Sequence, residues 1–198
     1  MQPVMRLFIA IPVPEAVRDA LEKIQTELRS TLPEEVVRWT KRAQFHLTLR
    51  FLGDVDSTQV QALAGSLRRA CEPFAPLSLR AERIGFFPHM RSPRVIWAWV
   101  HDGNEVLPRL QQSIERATTP FTREAAEEKF TGHITLGRIQ RIKRAEADTL
   151  GKVAVSMAER FFGEWTANHV ELIHSELSST GSRYTTIEAI ALAAGEKL

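Results

Sequence analysis

Cysteine is almost missing from this chain of 198 residues: Cys71 stands alone. No intramolecular disulfide can form, and no cysteine-based zinc site can be assembled. A reducing cytoplasm is the expected setting. No run of 18 apolar residues occurs, so no helical membrane span is expected. The first twelve residues make a poor secretory leader, because Pro12 stops a short apolar run and no small-residue cleavage site follows it. Charge of one sign is not in excess either. The chain has 26 basic and 24 acidic residues, which excludes the polycationic pattern of a nucleic-acid coat protein. Lysine is scarce, with 6 against 20 arginines. Arginine's planar fork suits phosphate, although a GC-rich genome accounts for the same bias. No linker or low-complexity stretch divides the chain. With 43% hydrophobic and 25% charged residues, the composition is ordinary for a globular protein. The length fits a single two-lobed domain that buries its own core without staples.

Periodicity then gives the elements. Residues 6–11 are β-prone and end at Pro12. From Glu15 to about Arg29 apolar residues recur at helical spacing. Phe45, Leu47, Leu49 and Phe51 alternate with Gln44, His46, Thr48 and Arg50, as in a half-buried strand. Ser57 or Asp56 caps a helix running to about Ala70. Leu77 to Phe87 and Val95 to Val100 read as strands around a wide hairpin loop. Asn104 or Asp102 caps a helix to about Ala117. A strand is expected over Thr131 to Leu136, a helix over Ala145 to Phe161, and strands over Val170 to Leu177 and Arg183 to Leu192. The order is βαβαβ followed by βαβαββ. Two similar halves, about 5–87 and 93–192, share one body with a groove between lobes.

One feature is common to the halves. His46-Leu47-Thr48-Leu49 and His133-Ile134-Thr135-Leu136 lie 87 residues apart, at matching places in the repeat. Two such His-x-Thr-Leu matches arise by chance in roughly one chain in a thousand. On a strand, residues i and i+2 share a face. Each histidine therefore projects with its threonine, and a pseudo-two-fold axis sets the two pairs across a groove. Two imidazoles with ordinary pKa values near 6.5 can supply one neutral base and one protonated acid near pH 7. Two hydroxyls add hydrogen bonds to oxygens between them. Such a site suits in-line displacement at phosphorus, where one oxygen loses a proton as the opposite one gains it. It needs no metal and no covalent nucleophile.

The chain resembles the two-histidine phosphoesterase superfamily over nearly its whole length. Met5 to Ile11 look like that family's opening strand, which points to Met5 as the native start. His46 to Gly53 are similar to its first motif and His133 to Arg138 to its second. Phe86-Phe87-Pro88 with Pro93 to Trp97 look like its central hairpin, and Leu177 to Gly181 with Tyr184 like its closing turn. Within the superfamily the chain is most similar to the RNA 2′,3′-cyclic phosphodiesterases, also called 2′-5′ RNA ligases. The resemblance implies a bilobal α+β fold in which two antiparallel sheets form a concave groove. It implies hydrolysis of a terminal 2′,3′-cyclic phosphate to a 2′-phosphate, with reversible 2′-5′ joining as a side activity. It implies no cofactor, no obligate protein partner and a monomer acting on RNA ends or small nucleotides. By the same resemblance His46 donates a proton to the departing 3′ oxygen, His133 activates water, and Thr48 and Thr135 hold the phosphate. Phe51 stacks on the terminal base and Arg138 neutralises the phosphate.

Strict alternation disagrees with parts of that picture. It sends Phe51 and Arg138 to the core face, unless the strand ends or bulges near Gly137. It puts Arg50 on the His46 face as a backbone contact. His89 and Arg91 are loop residues at the groove edge. Arg141, Lys143 and Arg144 form a basic cluster at a helix start. Trp97 and Trp99 share a sheet face. His101, His169 and His174 lack metal-ligand spacing. Two other readings stay open: a phosphodiesterase for a nucleotide or ADP-ribose cyclic phosphate, and a non-catalytic RNA-binding module of the same fold.

Overall fold

The computed structural model describes residues 3–127, 129–178 and 181–193. Among the described residues nine strands and four α-helices follow one another: β1 (Val4–Pro12), α1 (Glu15–Arg29), β2 (Val37–Trp39), β3 (His46–Asp56), α2 (Val60–Cys71), β4 (Leu77–Phe87), β5 (Val95–His101), α3 (Val106–Thr118), β6 (His133–Ile139), α4 (Arg144–Ser156), β7 (Phe161–Ala167), β8 (His169–Ser178) and β9 (Gly181–Ala191).

Local chemistry starts and stops the helices. Extended Pro14 precedes α1, whose Val17, Leu21, Ile24 and Leu28 return at three- and four-residue spacing and are all buried. The Asp56 carboxylate accepts from the Thr58 N–H at 2.8 Å and opens a 3₁₀ turn that leads into α2. The Asp102 carboxylate accepts from the N–H groups of Val106 and Leu107 at 2.7 and 3.1 Å and starts α3. The Glu146 carboxylate accepts from the Lys143 N–H at 2.7 Å and starts α4.

The sheet order is β7-β4-β5-β6-β3-β1-β8-β9, with β2 also paired to β6. All pairings are antiparallel, and the sheet curls into two halves. The halves meet at one ladder pair, Leu47 with Ile134. α2 and α3 pack on each other and against β9 and β3, while α1 and α4 lie against β7 and β4. Leu47, Leu49, Ile134 and Leu136 point to the helices and are almost wholly buried. Among the described residues no helix packs on the opposite face, which forms the wall of the groove. Phe8, Ala10 and Ile173 make a small second apolar cluster there, with Tyr184 against it.

Two elements differ from the periodicity reading. The helix expected over Ala145 to Phe161 stops at Ser156, and Phe161–Ala167 instead pairs with β4. The apolar spacing ran on into a strand rich in aromatic residues, which prefer a pleated surface. The three-residue β2 was not expected; it pairs with β6 from Gly137 to Ile139. Each sheet half also draws on both ends of the chain: β1 and β3 lie with β8 and β9, and β4 with β5, β6 and β7. Residues 179 and 180 of the expected closing turn lie outside the described residues.

Candidate active site

The two histidines open their strands in the same way. His46 follows a 3₁₀ turn over Arg42–Gln44, and its Nδ1 lies 2.7 Å from the Gln44 carbonyl oxygen. His133 Nδ1 lies 2.7 Å from the Thr131 carbonyl oxygen. A carbonyl only accepts, so Nδ1 carries the proton in both rings and donates it. Each neutral ring is left with its Nε2 lone pair to face the groove. Aromatic rings brace both imidazoles. His46 packs against Phe8 and Tyr184, with centroids 4.9 and 5.5 Å away. His133 packs against Phe87 and Trp97 at 5.0 and 6.1 Å. Gly85 permits the second pair, because a Cβ there would run into the Trp97 ring. Phe87 and Trp97 stack on one another at 4.9 Å.

Burial decides their charge. It pushes His46 down from 6.5 to about 4; the Gln44 carbonyl opposes the shift, and the charges of His133 and Arg18 add to it. Burial also pushes His133 below its ordinary value, against the Thr131 carbonyl and with help from the Arg138 charge. Burial thus favours the neutral form of both rings near pH 7. The expected pairing of one charged and one neutral imidazole therefore needs a proton that burial disfavours.

Thr48 and Thr135 share the groove face with their histidines, and all four residues are half-buried. The Leu47–Ile134 pair lies between them. One step either side along two antiparallel strands sets His46 across from Thr135 and Thr48 across from His133.

Past the threonines both strands bulge. On β3, Thr48 pairs with Ala10 and Arg50 with Ile9, so Leu49 is the extra residue. On β6, Thr135 pairs with Trp97 and Gly137 with Ile96, so Leu136 is the extra residue. Each bulge reverses the alternation beyond it. Phe51, 51% exposed, therefore turns to the groove, where its ring lies 6.1 Å from Phe8. Arg138 turns to the same side and is exposed. Gly137 fits here because a Cβ would approach Val37 to 2.6 Å.

Arg50 is the correction. It faces the helices, only 3% exposed. It pairs with Glu115 on α3 at 3.3 Å and donates to the carbonyls of Ala125 and Glu124 at 3.3 and 3.2 Å. It anchors the segment that leads to His133 and does not enter the groove.

A hollow of about 290 Å³ lies beside His133, lined by Thr135, Arg138, Phe87, Val95, Thr131, Glu127 and Lys129. The sequence reading missed Glu127 and Lys129, whose only signal was closeness to the second motif. It also missed Phe8 and the paired carbonyls of Gln44 and Thr131. A larger hollow, about 420 Å³, lies away from the histidine pairs, beside Arg80, His101, Asp102 and Glu164. His89 and Arg91 are exposed in the β4–β5 loop, and Arg141, Lys143 and Arg144 are exposed before and at the start of α4. His101 and His169 approach Glu82 and Glu171 at 3.4 and 3.5 Å, and His174 pairs along the sheet with Leu7. Among the described residues no group of three or more His, Cys, Asp or Glu gathers as metal ligands would. No helix among them is long and apolar enough to cross a membrane.

The chain is similar to known proteins over nearly its whole length. The family described as LigT like Phosphoesterase matches residues 11–97. The chain is 30% identical over 182 residues to the RNA 2′,3′-cyclic phosphodiesterase of Archaeoglobus fulgidus, covering 91% of this chain and 96% of that protein. It is 30% identical over 194 residues to the protein of the same name from Thermus thermophilus, covering 95% and 90%. A crystal structure of a Thermus thermophilus protein superposes with a TM-score of 0.79 at 29% identity, covering 96% of this chain and all of that one. With its duplicated histidine strands and groove, this chain belongs to the LigT-like family of two-histidine phosphoesterases.

Proposed function

We propose that this chain is a hydrolase that opens the 2′,3′-cyclic phosphate at an RNA end to give a 2′-phosphate. The observation that carries the reading is the matched pair of imidazoles, each with Nδ1 spent on a carbonyl and Nε2 free for the groove. Relatives of near-equal length named RNA 2′,3′-cyclic phosphodiesterase supply the substrate class.

In this mechanism the cyclic phosphate lies between the His-Thr pairs. His133 Nε2 takes a proton from water as its oxygen attacks phosphorus. The bond from phosphorus to the 3′ oxygen breaks, and His46 Nε2 gives that oxygen its proton. The two rings end in exchanged protonation states, and solvent resets them. A buried, neutral pair must gain one proton before turnover. The anionic phosphate favours that gain by placing a negative charge between the rings. Thr48 and Thr135 donate to its non-bridging oxygens, Arg138 balances its charge, and Phe51 offers a ring to the terminal base. A 5′-hydroxyl that attacks phosphorus in place of water opens the same ring, with the 3′ oxygen again leaving, and joins the two ends reversibly as a 2′-5′ link. One chain carries both histidines, so a monomer suffices, and a cytoplasmic setting agrees with a single buried thiol at Cys71.

The test is an RNA ending in a 2′,3′-cyclic phosphate, incubated with and without EDTA. Turnover to the 2′-phosphate should survive the chelator. His46→Ala and His133→Ala should each slow it by about 10² to 10⁴. A substrate with sulfur at the 3′ position leaves without an acid and should rescue His46→Ala alone. Loss of turnover with EDTA and its return with Mg²⁺ or Zn²⁺ would overturn the reading.

A further inference from the structure

Two glutamines are among the few buried polar residues. Gln25 on α1 and Gln111 on α3 are 1% and 3% exposed. Each points at a bulge. Gln25 Nε2 donates to the Leu136 carbonyl at 2.7 Å and to the Thr40 carbonyl at 2.8 Å. Gln111 Nε2 donates to the Leu49 carbonyl at 3.4 Å and to Glu115 Oε2 at 2.6 Å. Leu49 and Leu136 are the extra residues at these bulges, each three positions after its histidine. A bulge interrupts the regular ladder, and a buried carbonyl there, with two lone pairs, can take a side-chain donor beside any backbone one.

We infer that Gln25 and Gln111 are positioning residues for the reaction, which rests on the phosphodiesterase reading above. Each amide holds open the bulge that turns the next groove residue inward: Arg138 for Gln25, Phe51 for Gln111. With regular pairing those two side chains would point at the helices, leaving Gly137 and Arg50 on the groove face. The clamps differ in grip. Gln25 ties the bulge to the chain leaving β2, where the Thr40 N–H also donates to Leu136 at 2.9 Å. Gln111 ties its bulge to Glu115, which is itself paired with Arg50.

The test is a pair of double-mutant cycles. Gln25→Met keeps the length and loses both donors. Affinity for inorganic phosphate, read from the histidine imidazole NMR shifts, should fall about tenfold in Gln25→Met and in Arg138→Met. The double variant should be no weaker than Arg138→Met alone. In the second cycle, Gln111→Met and Phe51→Ala should each raise KM for cyclic-phosphate RNA about tenfold, leave kcat within about twofold, and again not add. Gln25→Asn and Gln111→Asn, which keep a shorter amide, repeat the cycles where a methionine variant does not fold. Additive losses in both cycles, or no phosphate binding by the wild-type protein, would overturn the inference. A coupled phosphate cycle in a protein that does not cleave cyclic-phosphate RNA would leave the positioning intact and reject the activity.

Discussion

His46 and His133 are held as uncharged rings by burial, and two measurements follow from that. In the folded state His46 titrates at about 4 rather than 6.5, and His133 is also lowered. Between those values the unfolded chain binds protons that the folded chain refuses, so stability falls as pH drops from 6.5 towards 4 and does not change above 6.5 on this account. His46 contributes at most about 3 kcal/mol to that loss. Melting temperature against pH should therefore be steeper for the wild type than for His46→Gln over that interval, and parallel slopes would refute the burial argument. The same shift moves catalysis. The pH dependence of kcat/KM reports the free enzyme, and its maximum should lie on the acid side of 6.5. With substrate bound, the kcat maximum should lie higher, because the phosphate charge favours protonation. A kcat/KM maximum above pH 7 would contradict both shifts.

At the level of strands, two bulges decide which side chains meet substrate. Arg50 and Arg138 look alike in sequence, each beside a His-Thr pair. Only Arg138 faces the groove; Arg50 is held by Glu115 under the sheet. Salt separates them. A phosphate contact on single-stranded RNA contributes about 0.7 to the slope of log affinity against log salt. Arg138→Met should lose about that much slope. Arg50→Met should keep the slope while losing stability, because the largely covered Glu115 carboxylate loses its charge partner. A flattened slope in Arg50→Met would return that residue to the groove. The same bulges mark how far the sequence could be read. His46, Thr48, His133 and Thr135 were legible, because they precede the bulges and obey simple alternation. Arg50 went to the wrong face because a one-residue slip reverses every later position. Gly137 gave a hint of the second bulge, but nothing of the kind marks Leu49. β7 was hidden because Leu150, Val153, Ala154 and Met157 have helical spacing that the reading carried past Ser156. The carbonyls of Gln44 and Thr131 could not be read from side-chain identities at all.

At the level of the molecule, the walls of the groove are interleaved. β4 lies between β5 and β7, and β1 between β3 and β8, so strands from both ends of the chain complete each half. A cut after the exposed Arg91, in the β4–β5 loop, breaks one covalent bond and no ladder pair. The two fragments should stay together on size exclusion and keep turnover. Once separated in denaturant, neither should fold alone, since the first lacks β6 with His133 and the second lacks β3 with His46. Remixing should restore activity. A fragment that folds and runs as a compact species by itself would show that the halves are independent.

That weave also bears on ancestry. A crossover that replaced the front half of the reading frame with a relative's would renew β1, β3 and β4 together, and so alter both sides of the cleft in one event. Descent by trading one wall for another is closed to this architecture. The two walls must drift in step, each new residue at the Leu47–Ile134 seam accepted only if the strand from the other half still fits it.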